Sequence, residues 1–294
     1  GYEHTLFLNV ETVNDQYLKD SNVLNELLET LYYVIFKPNY ENGEFIPQIV
    51  EREKEMVLER IHSIFDDKTR YAQTRLTKIL RPNNAASISA NGTEQEVEAV
   101  TPATLKEAYE AMLTEDEIDI YVVGDIDVEQ ISAKLREYLP FEDRKPLQDK
   151  TERNSMPTEI EPYTKEQHDM KQGKLHIGFK APVYFGDEDF PKMQIFNGIF
   201  GGYAHSKLFM NVRERESLAY YASSSYAAHY GLLYVASGIE PTNEQKAIEV
   251  IDEQLEAMKN GDITELELAQ TKAMLTNQMK EALDSARGQI EIFD

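Results

Sequence analysis

What most constrains this chain is a likeness between its two ends. Leu6-Phe7-Leu8-Asn9-Val10-Glu11 leads into NDQYLKDSNVLNELLETL, and Tyr234-Val235-Ala236-Ser237-Gly238-Ile239-Glu240 leads into TNEQKAIEVIDEQLEAM. The next helices also match in outline, FIPQIVEREKEMVLERI against ITELELAQTKAMLTNQM, each after a polar turn. Strand, long helix, turn and long helix thus occur twice, the pattern of one domain present in two copies. The expected fold class is α+β: duplicated domains, each an antiparallel-rich sheet packed on long helices. The copies do not begin and end alike. The second carries a strand, a helix, a double glycine and a further strand over 174–228 ahead of the shared unit, and the first has no equivalent. The first continues through 67–139, and the second has no equivalent before Asp294. Both copies are therefore expected to be truncated.

Local patterns give the elements. Apolar positions 24, 27, 28, 31, 34 and 35 follow the helical period, predicting a helix over 15–36 that Lys37-Pro38-Asn39 stops. Further helices are expected from about 45 to 66, with Pro47 in the first turn, and over 68–80, 101–113 and 127–139. Thr101-Pro102 is a cap followed by a residue suited to the first helical position. In the second half, helices are expected over 188–200, 205–216, 242–258 and from 265 onward, the last with Thr264 and Glu267 as a capping box. Strands are expected at 5–10, 118–123, 174–180, 218–228 and 231–239. Residues 141–168 are charged, carry Pro146, Pro157 and Pro162, and lack a sustained apolar period. The expected division is 1–145 for the C-terminal part of the first domain, 146–168 for a linker and 169–294 for the N-terminal part of the second.

Charge excludes whole classes of partner. The 294 residues carry a net charge of −23, spread over both halves. Nucleic-acid affinity comes mainly from basic side chains that displace counterions, so neither nucleic acid nor an anionic membrane is an expected partner. The absence of Cys removes disulfides, thiolate metal sites and thiol nucleophiles together, and it fits a reducing compartment. With no long apolar run, the expected location is cytoplasmic.

Most candidate chemistry reduces to structure. His4, His62, His168, His176, His205 and His229 show no His-x-x-x-His or His-x-x-Glu-His spacing, which would put two ligands on one helix face. Asp125, Asp127 and Glu129 resemble a calcium loop only faintly, because Gln130 stands where the turn needs Gly. Gly201-Gly202 lacks the Lys-Ser/Thr of a phosphate loop and reads as a helix C-cap. Glu51, Glu53, Glu55 and Glu59 alternate with Arg52, Lys54 and Arg60 as a charged outer helix face. Arg213 and Tyr220 are different. Seven residues apart, near one face of a helix ending around Ser217, they could aim two donors at one carbonyl oxygen, as acyl transfer requires. The alternative is an exposed Arg paired with Glu214 or Glu216 and a half-buried core Tyr.

Ser206-Lys207-Leu208-Phe209, Val212-Arg213-Glu214 and Ser217-Leu218-Ala219-Tyr220, after a double glycine, resemble the C-terminal-domain signature of the M16 (insulinase, pitrilysin and mitochondrial processing peptidase) family. Glu3-His4-Thr5, the Glu51-Arg52-Glu53-Lys54-Glu55-Met56-Val57-Leu58-Glu59 helix and Tyr121-Val122-Val123-Gly124-Asp125 are similar to its N-terminal domain, in the right order. The resemblance implies peptide-bond hydrolysis in a closed chamber. In the family a His-x-x-Glu-His helix and a later Glu hold zinc, and an Arg/Tyr pair, matched here by Arg213 and Tyr220, holds the substrate carbonyl.

One departure bears on the metal. Aligning the Glu-Arg-Glu run puts Arg60 at the later zinc-ligand position, with Glu59 one residue away and about 100° around the helix. The resemblance therefore points to the family's metal-less members, with no cofactor in this chain and zinc in a partner subunit or in a segment upstream of Gly1. The implied partners are a peptide substrate and an M16-type subunit or a second copy in a homodimer. Two further readings stand beside this: a self-sufficient zinc endopeptidase, and a non-enzymatic assembly or chaperone subunit. The acidity would suit a chamber preferring basic or neutral peptides.

Overall fold

Helices close their hydrogen bonds locally, and most of the expected ones form. The structure, a computed structural model, describes residues 5–19, 22–82, 87–144 and 163–293. Glu3-His4 and most of the expected linker lie outside the described residues. In chain order the elements are α1 (Val23–Phe36), β1 (Tyr40–Glu41), β2 (Glu44–Phe45), α2 (Pro47–Asp66), α3 (Lys68–Leu80), α4 (Glu94–Ala99), α5 (Pro102–Glu115) and α6 (Val128–Tyr138). Then come β3 (Gly173–Lys180), α7 (Phe190–Asn197), two π-helical segments (Gly198–Gly202 and Leu208–Arg215), β4 (Ala219–Ala227), β5 (Leu232–Ile239), α8 (Glu244–Lys259), α9 (Glu265–Leu283) and α10 (Ala286–Phe293). No helix among the described residues is long and apolar enough to cross a membrane.

Contacts sort the chain into two compact units, one taking in 62–90 and 151–280, the other 5–61, 91–150 and 281–294. The second is helical. Its α1 is started by the Asp15 carboxylate, which accepts from the backbone of Val23 at 2.8 Å, and it buries Leu28 and Ile35. Asn42 and Gly43, both at positive φ, make the two-residue turn joining β1 to β2. The Thr101 hydroxyl accepts from the Thr104 backbone at 3.2 Å, the expected cap of α5. Lys54, placed on a charged outer face by its sequence neighbours, instead turns inward and donates to the carbonyls of Glu98 and Val100, both at 3.1 Å.

Two expected strands do not form. Residues 5–10 and 118–123 belong to no ladder among the described residues, and Phe7 is 74% exposed. A strand exists only with a partner for its N–H and C=O groups, so apolar alternation alone does not make one. Of the two sequence-matched units, only the second therefore carries its strand as a strand.

The other unit is built on one antiparallel sheet in the order β3-β5-β4. Central β5 is apolar on both faces, so it needs two covers. Leu233 and Val235 pack with Ile199, Phe200, Leu208, Val212, Val250 and Ile251 from the two π-helical segments and α8. Leu232 and Tyr234 pack with Leu80 and Leu76 of α3. A helix from the first half of the chain thus covers a sheet of the second. The approach is close: a Cβ at Gly178 of β3 would lie 2.3 Å from Leu80.

Candidate functional site

Arg213 and Tyr220 occupy the two ends of a single irregular connection. The expected helix over 205–216 is realised as the π-helix Leu208–Arg215, and Tyr220 lies on β4, not on that helix. The π-helix is anchored before it starts. Lys207 is buried and pairs with Glu267 of α9 at 2.9 Å, and His205 bonds Thr271 through Nε2 at 2.9 Å. Glu267 also closes the expected capping box, accepting from the Thr264 backbone at 2.8 Å. Within the π-helix, Leu208 and Val212 are fully buried against the sheet, and Asn211 donates to Gln254 of α8 at 2.7 Å. Stretches of π-helix recur at functional sites, where they redirect side chains relative to an α-helix.

The double glycine has a different role from the C-cap expected for it. Gly201 sits where a Cβ would lie 2.6 Å from the Ser224 backbone nitrogen and 2.7 Å from Leu208. Neither Gly201 nor Gly202 has positive φ. Gly201 lets the first π-helical segment lie directly on β4, the strand that carries Tyr220.

Between the two residues the chain reverses through Ser217, at φ 52°, with the Glu216 N–H returned to the Asn211 carbonyl at 3.1 Å and that of Leu218 to the Val212 carbonyl at 3.0 Å. Then β4 is bulged. Ala219 pairs with Ile239 and Tyr221 with Gly238, so Tyr220 is the extra residue opposite no partner. A bulge of this kind re-aims a side chain out of the ladder's alternation. Tyr220 is accordingly 56% exposed, not the half-buried core residue of the alternative reading.

Each group has a resting partner. The Arg213 guanidinium stacks over the Phe209 ring at 4.6 Å, and its Nε is 3.5 Å from Glu214, the ion pair that the alternative reading anticipated. The Tyr220 hydroxyl donates to the Glu240 carboxylate, just beyond β5. That bond, with the carboxylate's charge, holds the phenol above its usual pKa, so Tyr220 stays protonated as a donor. Sequence reasoning assigned no role to Glu240, Lys207 or Asn211 and did not anticipate the bulge. All four depend on register or on packing across long separations.

A resident zinc does not fit the described residues. Among them no three His, Asp or Glu side chains gather closely enough to hold a metal ion, and Arg60 has no lone pair to offer one.

Comparison with known proteins gives the family. Residues 99–275 match the family described as "Peptidase M16 inactive domain". The chain is 40% identical to the "Probable inactive metalloprotease YmfF" of Bacillus subtilis (strain 168), over 100% of this chain and 69% of that protein. It is 25% identical to the "Uncharacterized zinc protease YmxG" of the same strain, over 90% of this chain and 63% of that protein. A solved conserved protein from Enterococcus faecalis V583 superposes with a TM-score of 0.81 at 38% identity, covering 95% of this chain and 66% of that one. The chain thus spans about two thirds of the length of these relatives. With the signature residues, the sheet that carries them and the matched family in agreement, the chain belongs to the M16 peptidase family.

Proposed function

We propose that this chain is part of an M16-type subunit that has no zinc site of its own and holds substrate peptides for a catalytic partner. In this reading Arg213 and Tyr220 donate to the carbonyl of the bond to be cut, and the edge of β4, unpaired among the described residues, lines an extended peptide. The observation that carries it is the placement of both donors by irregular elements, a π-helix and a β-bulge, that meet at one turn and leave both side chains exposed. Regular elements would have served a purely structural Arg and Tyr. The partner is an M16-type subunit or a second copy, and the hydrolytic step belongs to the zinc-bearing member. The inward-facing chamber is built from duplicated domains, of which this chain contributes parts of two.

The reading has a direct test. An extended peptide with an Arg beside its central amide, titrated into the full-length protein, should bind about tenfold more weakly to Arg213→Ala and to Tyr220→Phe than to wild type, with unchanged far-UV dichroism. Equal affinities for all three would remove both residues from the peptide site. The likeness to YmxG favours a second reading, a zinc peptidase in its own right. Metal analysis of the full-length protein separates the two, since that reading requires one tightly held zinc per chain.

A further inference from the structure

Glu240 holds the only proton that Tyr220 can donate. A guanidinium has five N–H donors, so the Glu214 contact at 3.5 Å leaves Arg213 free to bond a carbonyl at the same time. A phenol has one O–H, and in this chain it is directed at the Glu240 carboxylate. An ionised carboxylate is a stronger acceptor than a neutral amide carbonyl. A peptide carbonyl arriving alone therefore competes for that proton at a disadvantage.

The carboxylate is also firmly presented. Ile239 is locked in the centre of the sheet between Gly173 and Ala219. Beyond it, Glu240 is extended at φ −70° and ψ 133°, Pro241 fixes the next residue, and the Glu240 carbonyl accepts from the Asn243 backbone at 2.9 Å. Only the side-chain rotamer is left to move. The nearby acid Glu244 is already occupied by Lys165 at 2.6 Å and by the Tyr163 hydroxyl, whereas no Lys or Arg among the described residues forms an ion pair with Glu240.

From this geometry we infer that Glu240 is a specificity-determining residue that restrains Tyr220 until a basic side chain of the bound peptide pairs with it. The inference rests on the assignment of Arg213 and Tyr220 to the peptide carbonyl. A Lys or Arg next to the held amide does two things at once: it gains an ion pair with Glu240 and returns the phenolic proton to the carbonyl. A neutral side chain does neither, and an acidic one meets like charge. Peptides with a basic residue beside the held bond are the substrate class that satisfies both groups.

The test uses three extended peptides identical except for Arg, norleucine or Glu beside one central amide, titrated into the full-length protein at low salt. Wild type should bind the Arg peptide about tenfold more tightly than the norleucine peptide, with the Glu peptide weakest. In Glu240→Gln the Arg-to-norleucine ratio should fall to about one, mainly because the norleucine peptide gains affinity. That ratio is insensitive to general damage, which weakens all three alike. A wild-type ratio retained in Glu240→Gln overturns the role of Glu240, while loss of binding in Arg213→Ala would still uphold the peptide site. No binding of any peptide to wild type overturns both.

Discussion

At the residue scale, the site depends as much on what is absent as on what reacts. Gly201 has no Cβ because β4 lies against it, and β4 is the strand whose bulge presents Tyr220. Gly201→Ala should push on the Ser224 backbone and on Leu208, costing about 1–3 kcal/mol in urea unfolding. A cost below about 0.5 kcal/mol would show that the contact relaxes freely. Arg213 and Tyr220 are singled out as candidates by their signature and spacing, since a short segment carries both. Glu240 could not, because it reaches Tyr220 only through the pairing of β4 with β5. The same limit applies to the Lys207–Glu267 pair, which no local pattern announces.

At the element scale, what a sequence reveals depends on whether an element satisfies its own hydrogen bonds. Helices do, and the starts at Pro47 and Pro102 and the caps at Thr101 and Thr264 follow from nearby residues. Strands do not. Residues 5–10 and 118–123 have strand composition without a ladder, while the β1–β2 hairpin went unread although Asn42-Gly43 is a strong turn signal. The π-helical segments were read as ordinary helices because their wider winding comes from packing on β4 and α8.

Packing of α3 on β3 also produces a pH dependence. His176 of β3 bonds Gln73 of α3 through Nδ1 at 3.1 Å, while its Nε2 is buried without a partner among the described residues. Burial, with a smaller contribution from Lys174, lowers its pKa from 6.5 to about 4. The folded state therefore keeps His176 neutral where the unfolded chain already binds a proton. Stability is intact above pH 6.5 and declines as the pH falls towards 4. At pH 5 the loss relative to pH 7.5 is about 2 kcal/mol, and His176→Gln should remove that part of the difference between urea titrations at the two values. An unchanged difference in the variant would assign the acid sensitivity elsewhere.

At the scale of the whole molecule, family membership comes from the fold and the signature. The fold, the signature and the matched family place the chain among M16 peptidases, yet the described residues hold no metal-binding cluster. The net charge of −23 disfavours nucleic acid. If Arg213 and Tyr220 serve a partner's zinc, their loss must appear in the rate of a reaction this chain does not itself perform. The measurement is peptide cleavage by the full-length protein reconstituted with its zinc-bearing partner, with Arg213→Ala compared against wild type. The rate should fall about a hundredfold or more while the melting temperature and the assembled complex are unchanged; cleavage at the wild-type rate would mean that Arg213 takes no part in holding the scissile carbonyl.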